Sequence, residues 1–313
     1  MSINKIKKRL FRIFGPFSKI YRHYRIKQKM NTNPKIVADR CYRRYFGRPI
    51  NWDNPSELNE KIRWMLYNTN ISKWTYLADK YRVREFVKEK GYGNNLIPLY
   101  GVWDNASEID FSSLPDSFVI KTNHGSGHVY VVQNKNTVNW QKICKDLNAF
   151  IKEPFGWQAA EIQYYDIPRR IIVEKLLTND LSQSSSIADY KFYCFKGEPF
   201  CCGVFYDRGK HKNASFYDMN WIRHDEWRAE KLKSVPQKDI PCPQTFNEMK
   251  DACRGLASEF PFVRMDFYEA EGKMYFGEFT FTPSRCSGGS LSLPVLMEMG
   301  NMLELPSKMK YRP

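Results

Sequence analysis

The sequence predicts an α+β protein built of more than one lobe. Three observations carry that expectation. Residues 54–68 and 76–91 hold helix signals, with Pro55-Ser56-Glu57-Leu58 opening the first and Gly91 closing the second. Residues 117–132, 189–206 and 260–283 each read as two strands joined by a turn or short loop. The 313 residues are enough for a large core divided among lobes.

Composition narrows the class. With 42% hydrophobic and 15% aromatic residues, the chain is expected to be globular. No apolar run is long enough to span a bilayer, and no secretory signal is expected. The eight cysteines are scattered and form no Cys-x-x-Cys pair, which suits a reducing cytoplasm and argues against a zinc or redox motif.

Residues 1–30 carry ten Lys/Arg and no Asp/Glu, out of a net charge of +15 for the whole chain. Ile6, Leu10, Ile13, Phe14 and Phe17 recur among these cations at helical spacing, with a break or kink at Gly15-Pro16. Such a basic amphipathic helix suits an anionic membrane surface, a nucleic acid or packing on the main body. Charge sign alone does not choose among the three.

Further along, Ser117–Thr122 reads as a short buried strand and Val129–Val132 as its return. Between them lies Asn123-His124-Gly125-Ser126-Gly127-His128, a loop whose glycines let backbone N–H groups face an anion. It is not a Walker A loop, because no Gly-Lys-Ser/Thr follows. Lys121 sits mid-strand among apolar residues, so it needs either an anionic partner or an exposed edge. Ile171–Leu177 is another buried strand, ending in a polar step. The Ser-rich stretch from Thr178 to Ser186 is a lid or a linker. In the strand Asp189–Phe195, Asp189 and Lys191 share one face while Tyr190 and Phe192 share the other. Lys196-Gly197-Glu198-Pro199 turns the chain into Phe200–Tyr206.

The last hairpin holds the most specific chemistry. Val263, Met265, Phe267, Tyr275, Phe279 and Phe281 are odd-numbered and apolar, whereas Arg264, Asp266, Glu278 and Thr280 are even-numbered and polar. A turn centred near Gly272 sets Asp266 opposite Glu278 and Arg264 opposite Thr280. Directly opposed side chains lie about 5 Å apart at Cβ, where like charges destabilise a sheet. The two carboxylates therefore either share a cation or belong to a solvated face. Mg2+ suits the first reading, since it takes one or two carboxylates together with substrate phosphates.

The order of these pieces adds specificity. Lys80, Lys121 with its glycine loop, Glu174-Lys175-Leu176-Leu177, Asp189, Arg264-x-Asp266 and Glu278-x-Thr280 resemble an ATP-grasp ligase over about residues 75 to 290. Leu58-Asn59-Glu60-Lys61, Asp79-Lys80-Tyr81-Arg82-Val83-Arg84, Asp189-Tyr190-Lys191-Phe192 and Glu278-Phe279-Thr280-Phe281-Thr282-Pro283 are similar to motifs of the TupA-like ATP-grasp family. That family is associated with teichuronopeptide, capsule and related surface polysaccharide synthesis.

The resemblance implies an ATP-grasp fold, with ATP between two α+β lobes and a helical N-terminal region. It divides the chain into a basic arm (1–30), a helical lobe (31–115), a small lobe (116–180) and a larger lobe with the metal site (181–313). It implies that Lys80 and Lys121 hold ATP phosphates, with His124, Gly125, Ser126 and Gly127 closing over them. Glu174, Lys175 and Leu176 would line the adenine pocket, and Asp189 would meet the ribose. Asp266, Glu278 and Thr280 would hold Mg2+, with Thr280 standing where the family usually has asparagine. Thr282-Pro283-Ser284-Arg285 stands where the family usually has Pro-Gly. Arg264 would stabilise the acyl-phosphate, and Lys191, Arg285 and Ser287-Gly288-Gly289-Ser290 are candidates for acceptor recognition.

The implied reaction is ATP-dependent carboxylate–amine ligation. A carboxylate attacks the γ-phosphate, and an amine then displaces phosphate from the acyl-phosphate. The implied partners are ATP, an amino acid or amine, and a uronic-acid polysaccharide or its precursor. No protein nucleophile is required, and no Ser/His/Asp or Cys/His set stands out. The five histidines (His23, His124, His128, His211, His224) lack metal-ligand spacing. Two other readings stay open: a sugar phosphotransferase using the same ATP site, and a non-catalytic polysaccharide- or nucleic-acid-binding protein. The expected location is cytoplasmic and peripheral on the inner membrane face, with nucleic acid not the expected partner.

Overall fold

The computed structural model describes residue 28 and residues 33–178, 184–207, 213–235 and 237–309. The basic arm, residue 28 excepted, and residues 179–183 of the Ser-rich stretch lie outside the described residues.

Helix α1 (Pro34–Phe46) begins with Asn33 accepting from Lys35 N and Pro34 at its first position, and ends at Gly47 with φ 73°. Helix α2 (Leu58–Asn68) starts on Glu57, whose carboxylate accepts from the backbone N–H groups of Asn59 and Glu60, both at 2.8 Å. Glu60 is fully buried and accepts from Asn51 N and Ser56 N, both at 3.0 Å, tying the preceding loop to the helix. Lys61 donates to Leu303 O at 2.8 Å. The Leu58-Asn59-Glu60-Lys61 motif is thus a structural joint.

The helix expected over 76–91 is instead two helices, α3 (Ser72–Ala78) and α4 (Val83–Glu89). The break falls at Asp79, which is buried and accepts from Tyr81 N, Arg82 N and Asn123 Nδ2. A side chain that captures the N–H groups of the next turn competes with helix continuation. Lys80 sits in that break. Helices of seven residues are too short to persist alone, since isolated helices below about 12 residues are marginal. Burial of Trp74, Leu77, Val83, Phe86 and Val87 holds them, and Trp74 stacks on Phe281 with ring centroids 4.9 Å apart.

Two antiparallel sheets follow. The first contains β1 (Leu99–Trp103), β2 (Phe118–Thr122), β3 (Val129–Val132) and β4 (Ile171–Lys175), in the order β1-β4-β2-β3. Helix α5 (Trp140–Phe150) covers it through Ile143 and Leu147, against Phe118, Ile120, Ile171 and Val173. Strand β1 lies within residues 31–115, expected to be a helical lobe. Its Leu-Tyr-Gly-Val-Trp has no strand alternation of its own, and pairing with β4 makes it a strand. The second sheet contains β5 (Asp189–Phe195), β6 (Glu198–Tyr206), β7 (Asn213–Tyr217), β8 (Val263–Ala270) and β9 (Lys273–Thr280), in the order β7-β6-β5-β8-β9. It packs on α2, α3, α4, α6 (Phe246–Ala257) and α7 (Leu293–Met302) around the main core. Ile97, Ala270 and Tyr275 form a smaller cluster with Leu177, where the two sheets meet. Among the described residues no helix is long and apolar enough to cross a membrane.

The β8–β9 hairpin carries an irregularity that matters. Glu271 (φ 55°) and Gly272 (φ 66°) form a two-residue turn between the paired Ala270 and Lys273. Uninterrupted pairing from that turn would set Asp266 against Gly277. A bulge beside Phe267 shifts the register by one, so Asp266 faces Glu278 and Arg264 faces Thr280, as expected from the sequence. The same bulge puts Tyr275 opposite Tyr268, on the Asp266 face, which corrects its expected place beside Met265 and Phe267. A Cβ at Gly277 would lie 2.8 Å from Asp266 O, so glycine permits the bulge. Gly277→Ala is expected to lower stability by about 1–3 kcal/mol in urea unfolding. An unchanged midpoint would mean the bulge tolerates a side chain.

Candidate active site

Three strands of the second sheet bring six charged or hydroxyl side chains onto one face. Lys191 on β5 lies opposite Asp266 on β8, which lies opposite Glu278 on β9. Lys191 Nζ bonds Asp266 and lies 2.6 Å from Asp189 Oδ2. Arg264 grips Asp266 with both arms, Nε to Oδ1 at 2.6 Å and Nη2 to Oδ2 at 2.7 Å. Its Nη2 also donates to Thr280 Oγ1 at 2.9 Å, and that hydroxyl donates to Glu278 Oε1 at 3.2 Å. Asp189, Lys191, Arg264, Asp266 and Thr280 are all buried.

The second group stands on the first sheet. Lys121 Nζ lies 2.5 Å from Glu174 Oε2, and Arg84 Nη1 approaches Glu174 Oε1 at 3.5 Å. Strand β2 is internal, between β4 and β3, so Lys121 is not on an exposed edge. Its anionic partner is Glu174.

Lys80 joins the two groups. Its Nζ donates to Gly125 O at 3.0 Å, in the glycine loop, and lies 3.1 Å from Glu278 Oε2, in the hairpin. The backbone at Lys80 is pinned as well, since its N–H donates to Asn123 O at 3.1 Å. Asn123 is buried and donates to Asp79 and Pro168 O, while its Oδ1 accepts from Arg170 N. Asp79 and Asn123 thus fix where Lys80 and the glycine loop meet. The sequence alone assigns neither a role, although Asp79 directly precedes Lys80.

The electrostatics follow from this packing. Burial opposes ionisation of Glu278, but Lys80, Lys191 and Arg264 outweigh it and hold its carboxyl well below the usual range. Burial pushes Lys191 down, and Arg264 adds to that push, while Asp266 and Glu278 oppose it. His124 is buried behind the glycine loop, and burial together with Arg169 pulls its imidazole down to about 4. It is therefore uncharged at neutral pH. Ser126 and Gly127 are exposed at the loop tip.

Not every expected residue converges here. Asp189 stands with Lys191 and Asp266. Lys175 turns toward Glu271 at the hairpin turn, 3.2 Å away, and Leu176 lies just past the end of β4. Arg285 lies beside α1 and lines a cavity that none of the Lys80 cluster reaches. Between the two regions is a buried network that the sequence did not reveal. Arg63 donates to Ala160 O at 3.0 Å and to Arg285 O at 2.5 Å. Thr282 donates to Glu161 at 2.6 Å and accepts from Gln163 at 2.8 Å.

Two antiparallel sheets, with a glycine loop and lysines from one side meeting paired carboxylates from the other, define an ATP-grasp fold. The chain belongs to the TupA-like ATP-grasp family, whose sequence model matches residues 60–290. The chain is an ATP-grasp enzyme. Comparison with curated proteins finds no significant match.

Solved structures similar to the chain include D-alanine–D-alanine ligases. That of Bacillus anthracis is 17% identical with a TM-score of 0.40, over 75% of this chain and 66% of that one. That of Helicobacter pylori is 13% identical with a TM-score of 0.44, over 81% and 68%. An L-amino acid ligase from Bacillus licheniformis is 8% identical with a TM-score of 0.44, over 71% and 47%. The chain thus spans about two thirds or less of the length of these ligases.

If Lys121 exchanges Glu174 for a phosphate, Lys121→Ala should weaken nucleotide binding several-fold or more in calorimetry. Unchanged affinity would leave the Lys121–Glu174 pair a purely structural contact.

Proposed function

We propose that the protein is an ATP-dependent carboxylate–amine ligase that joins an amino acid or amine to a uronic-acid-bearing surface polysaccharide or its precursor. The observation that carries the ligase reading is Lys80, which touches both the glycine loop and Glu278 of the paired carboxylates. Phosphoryl transfer needs mainly positioning and charge stabilisation, and this arrangement offers both. Lys80 and Lys121 take the ATP phosphates, and the loop at 124–127 covers them. Glu174 and the chain at Lys175-Leu176 face the base, and Asp189 the ribose. Arg264 and Lys191 neutralise charge as the substrate carboxylate attacks the γ-phosphate. The amine then displaces phosphate.

Mg2+ fits this site by donor type and register. Asp266 and Glu278 face each other, and the Thr280 hydroxyl bonds Glu278. Among the described residues no group of three or more His, Cys, Asp or Glu could hold a metal ion. Two carboxylates suffice for Mg2+ when phosphate oxygens and water complete its shell. Three cations (Lys80, Lys191, Arg264) already balance three carboxylates (Asp189, Asp266, Glu278) here. The phosphates of ATP supply the negative charge that a divalent ion requires. When bound, the ion would neutralise charge on the transferring phosphoryl group.

The test is a product assay. Incubation with ATP, Mg2+, uronate oligosaccharides and amino acids should yield ADP, phosphate and an amide. A phosphorylated sugar without amide would overturn the ligase reading in favour of a phosphotransferase.

The basic residues 1–30 support a peripheral place on anionic membrane. Each cation near such a surface contributes about 1 kcal/mol before geometry and salt reduce it. Deleting residues 1–30 is expected to abolish sedimentation with anionic vesicles and leave ATP hydrolysis intact. Retained sedimentation would refute the anchor.

A further inference from the structure

A cavity of about 210 Å³ opens beside α1, separate from the Lys80 cluster. Its walls include Arg40 and Arg44, Tyr45, Gln158, Arg285 and Ser287. Arg40 and Arg44 are one turn apart on α1, so like charges are held on one helix face, an arrangement that is locally unfavourable. Arg285 reaches the same space from the loop after β9. Ser284, Arg285 and Cys286 all adopt left-handed backbone conformations, with φ of 51°, 61° and 44°. Non-glycine residues hold such conformations only when their surroundings impose them, and these cluster at ligand sites. Arg63 holds this loop through its bond to Arg285 O.

The charge pattern separates this cavity from the nucleotide site. There, Lys80, Lys121, Lys191 and Arg264 each pair with a carboxylate. Here no acidic residue lines the cavity. Among the described residues, none of Arg40, Arg44 and Arg285 forms an ion pair; Glu161, whose carboxyl feels Arg285, is buried and bonded to Thr282. Lys231 adds a further cation 5.0 Å from the Tyr45 ring. Guanidinium groups match carboxylate and phosphate oxygens with paired N–H donors. Arg285 follows Thr280 of the hairpin site by five positions, so their Cα atoms are within about 18 Å. Helix α1 precedes residues 60–290, the stretch matched by the family model.

We propose that Arg40, Arg44 and Arg285 form an anion subsite for the acceptor, holding an oxyanion other than the reacting carboxylate. The assignment to the acceptor rests on the ligase reading above. The oxyanion is either a neighbouring uronate carboxylate or the phosphate of a carrier-linked sugar.

The test uses the full chain saturated with a non-hydrolysable ATP analogue, titrated with trigalacturonate or pyrophosphate. The Arg40→Gln/Arg44→Gln double variant should bind trigalacturonate at least tenfold more weakly, with analogue affinity unchanged. Weakening confined to pyrophosphate supports the subsite and assigns it a phosphate. Arg285→Gln, on a separate element, should reproduce the loss. Unchanged binding of both probes, or an equal loss of analogue affinity, would overturn the proposal. These titrations involve no turnover, so absence of amide product would count against the ligase reading alone.

Discussion

Glu278→Gln and Asp266→Asn are each expected to reduce ATP turnover by about 10²-fold or more, the scale seen when one pre-organised charge-stabilising group is lost. The two variants should differ in stability. Asp266 is buried and neutralises Arg264 and Lys191, themselves buried. Removing its charge takes the close partner from buried Arg264 and leaves Lys191 with Asp189 alone, a loss on the order of 3–5 kcal/mol. Glu278 is partly exposed, and Lys80 is its main partner. Its loss should therefore affect folding less, and turnover per folded molecule is the quantity to compare. Near-normal turnover in both would sink the metal-site assignment.

Glu278 also predicts an acid dependence. Its folded pKa lies below the ordinary 4.5, so the folded state favours the charged form. The resulting stability is fully present above about pH 4.5 and is lost as pH falls toward the lower folded value. Glu278→Gln should flatten that part of the stability profile. An unchanged profile would mean that Lys80, Lys191 and Arg264 do not favour the carboxylate.

The hairpin was legible because strand alternation and a glycine turn are local. Even so, Asp266 faces Glu278 only because a bulge compensates for a two-residue turn, and Tyr275 changes face as a result. The break around Lys80 was hidden by residues that continue a helical pattern. Asp79 imposes it, partly through Asn123, 44 residues away. Glu174 as the partner of Lys121 depended on knowing which strands are neighbours, since the two residues lie on β4 and β2. Family motifs supplied the types of residue at the site. Pairing within the sheets decided which of them touch.

Arg63→Met is expected to cause the largest loss of stability from a residue outside the nucleotide site. In sequence Arg63 is an ordinary cation of α2, beside Ile62, yet it is fully buried. Its partners are the carbonyls of Ala160 and Arg285, 97 and 222 residues away. Tyr67 also donates to Ala160 O at 2.6 Å, so that carbonyl keeps one donor in the variant. Arg285 O loses its Arg63 bond. Glu161 is affected too: burial pushes its carboxyl up, while the Thr282 bond and the charges of Arg63 and Arg285 resist that push. Methionine fills similar space but restores neither donor nor charge. Leaving the Arg285 carbonyl without its charge-assisted donor costs about 1–3 kcal/mol. Urea unfolding should show a lower midpoint at similar slope. Below that midpoint, ATP-analogue affinity should persist, because Lys80 and Lys121 stand on other elements. Affinity for the acceptor anion should fall, because the loop at 284–286 loses its anchor. A variant that unfolds at the parental urea concentration would show that Arg63 does not secure this loop.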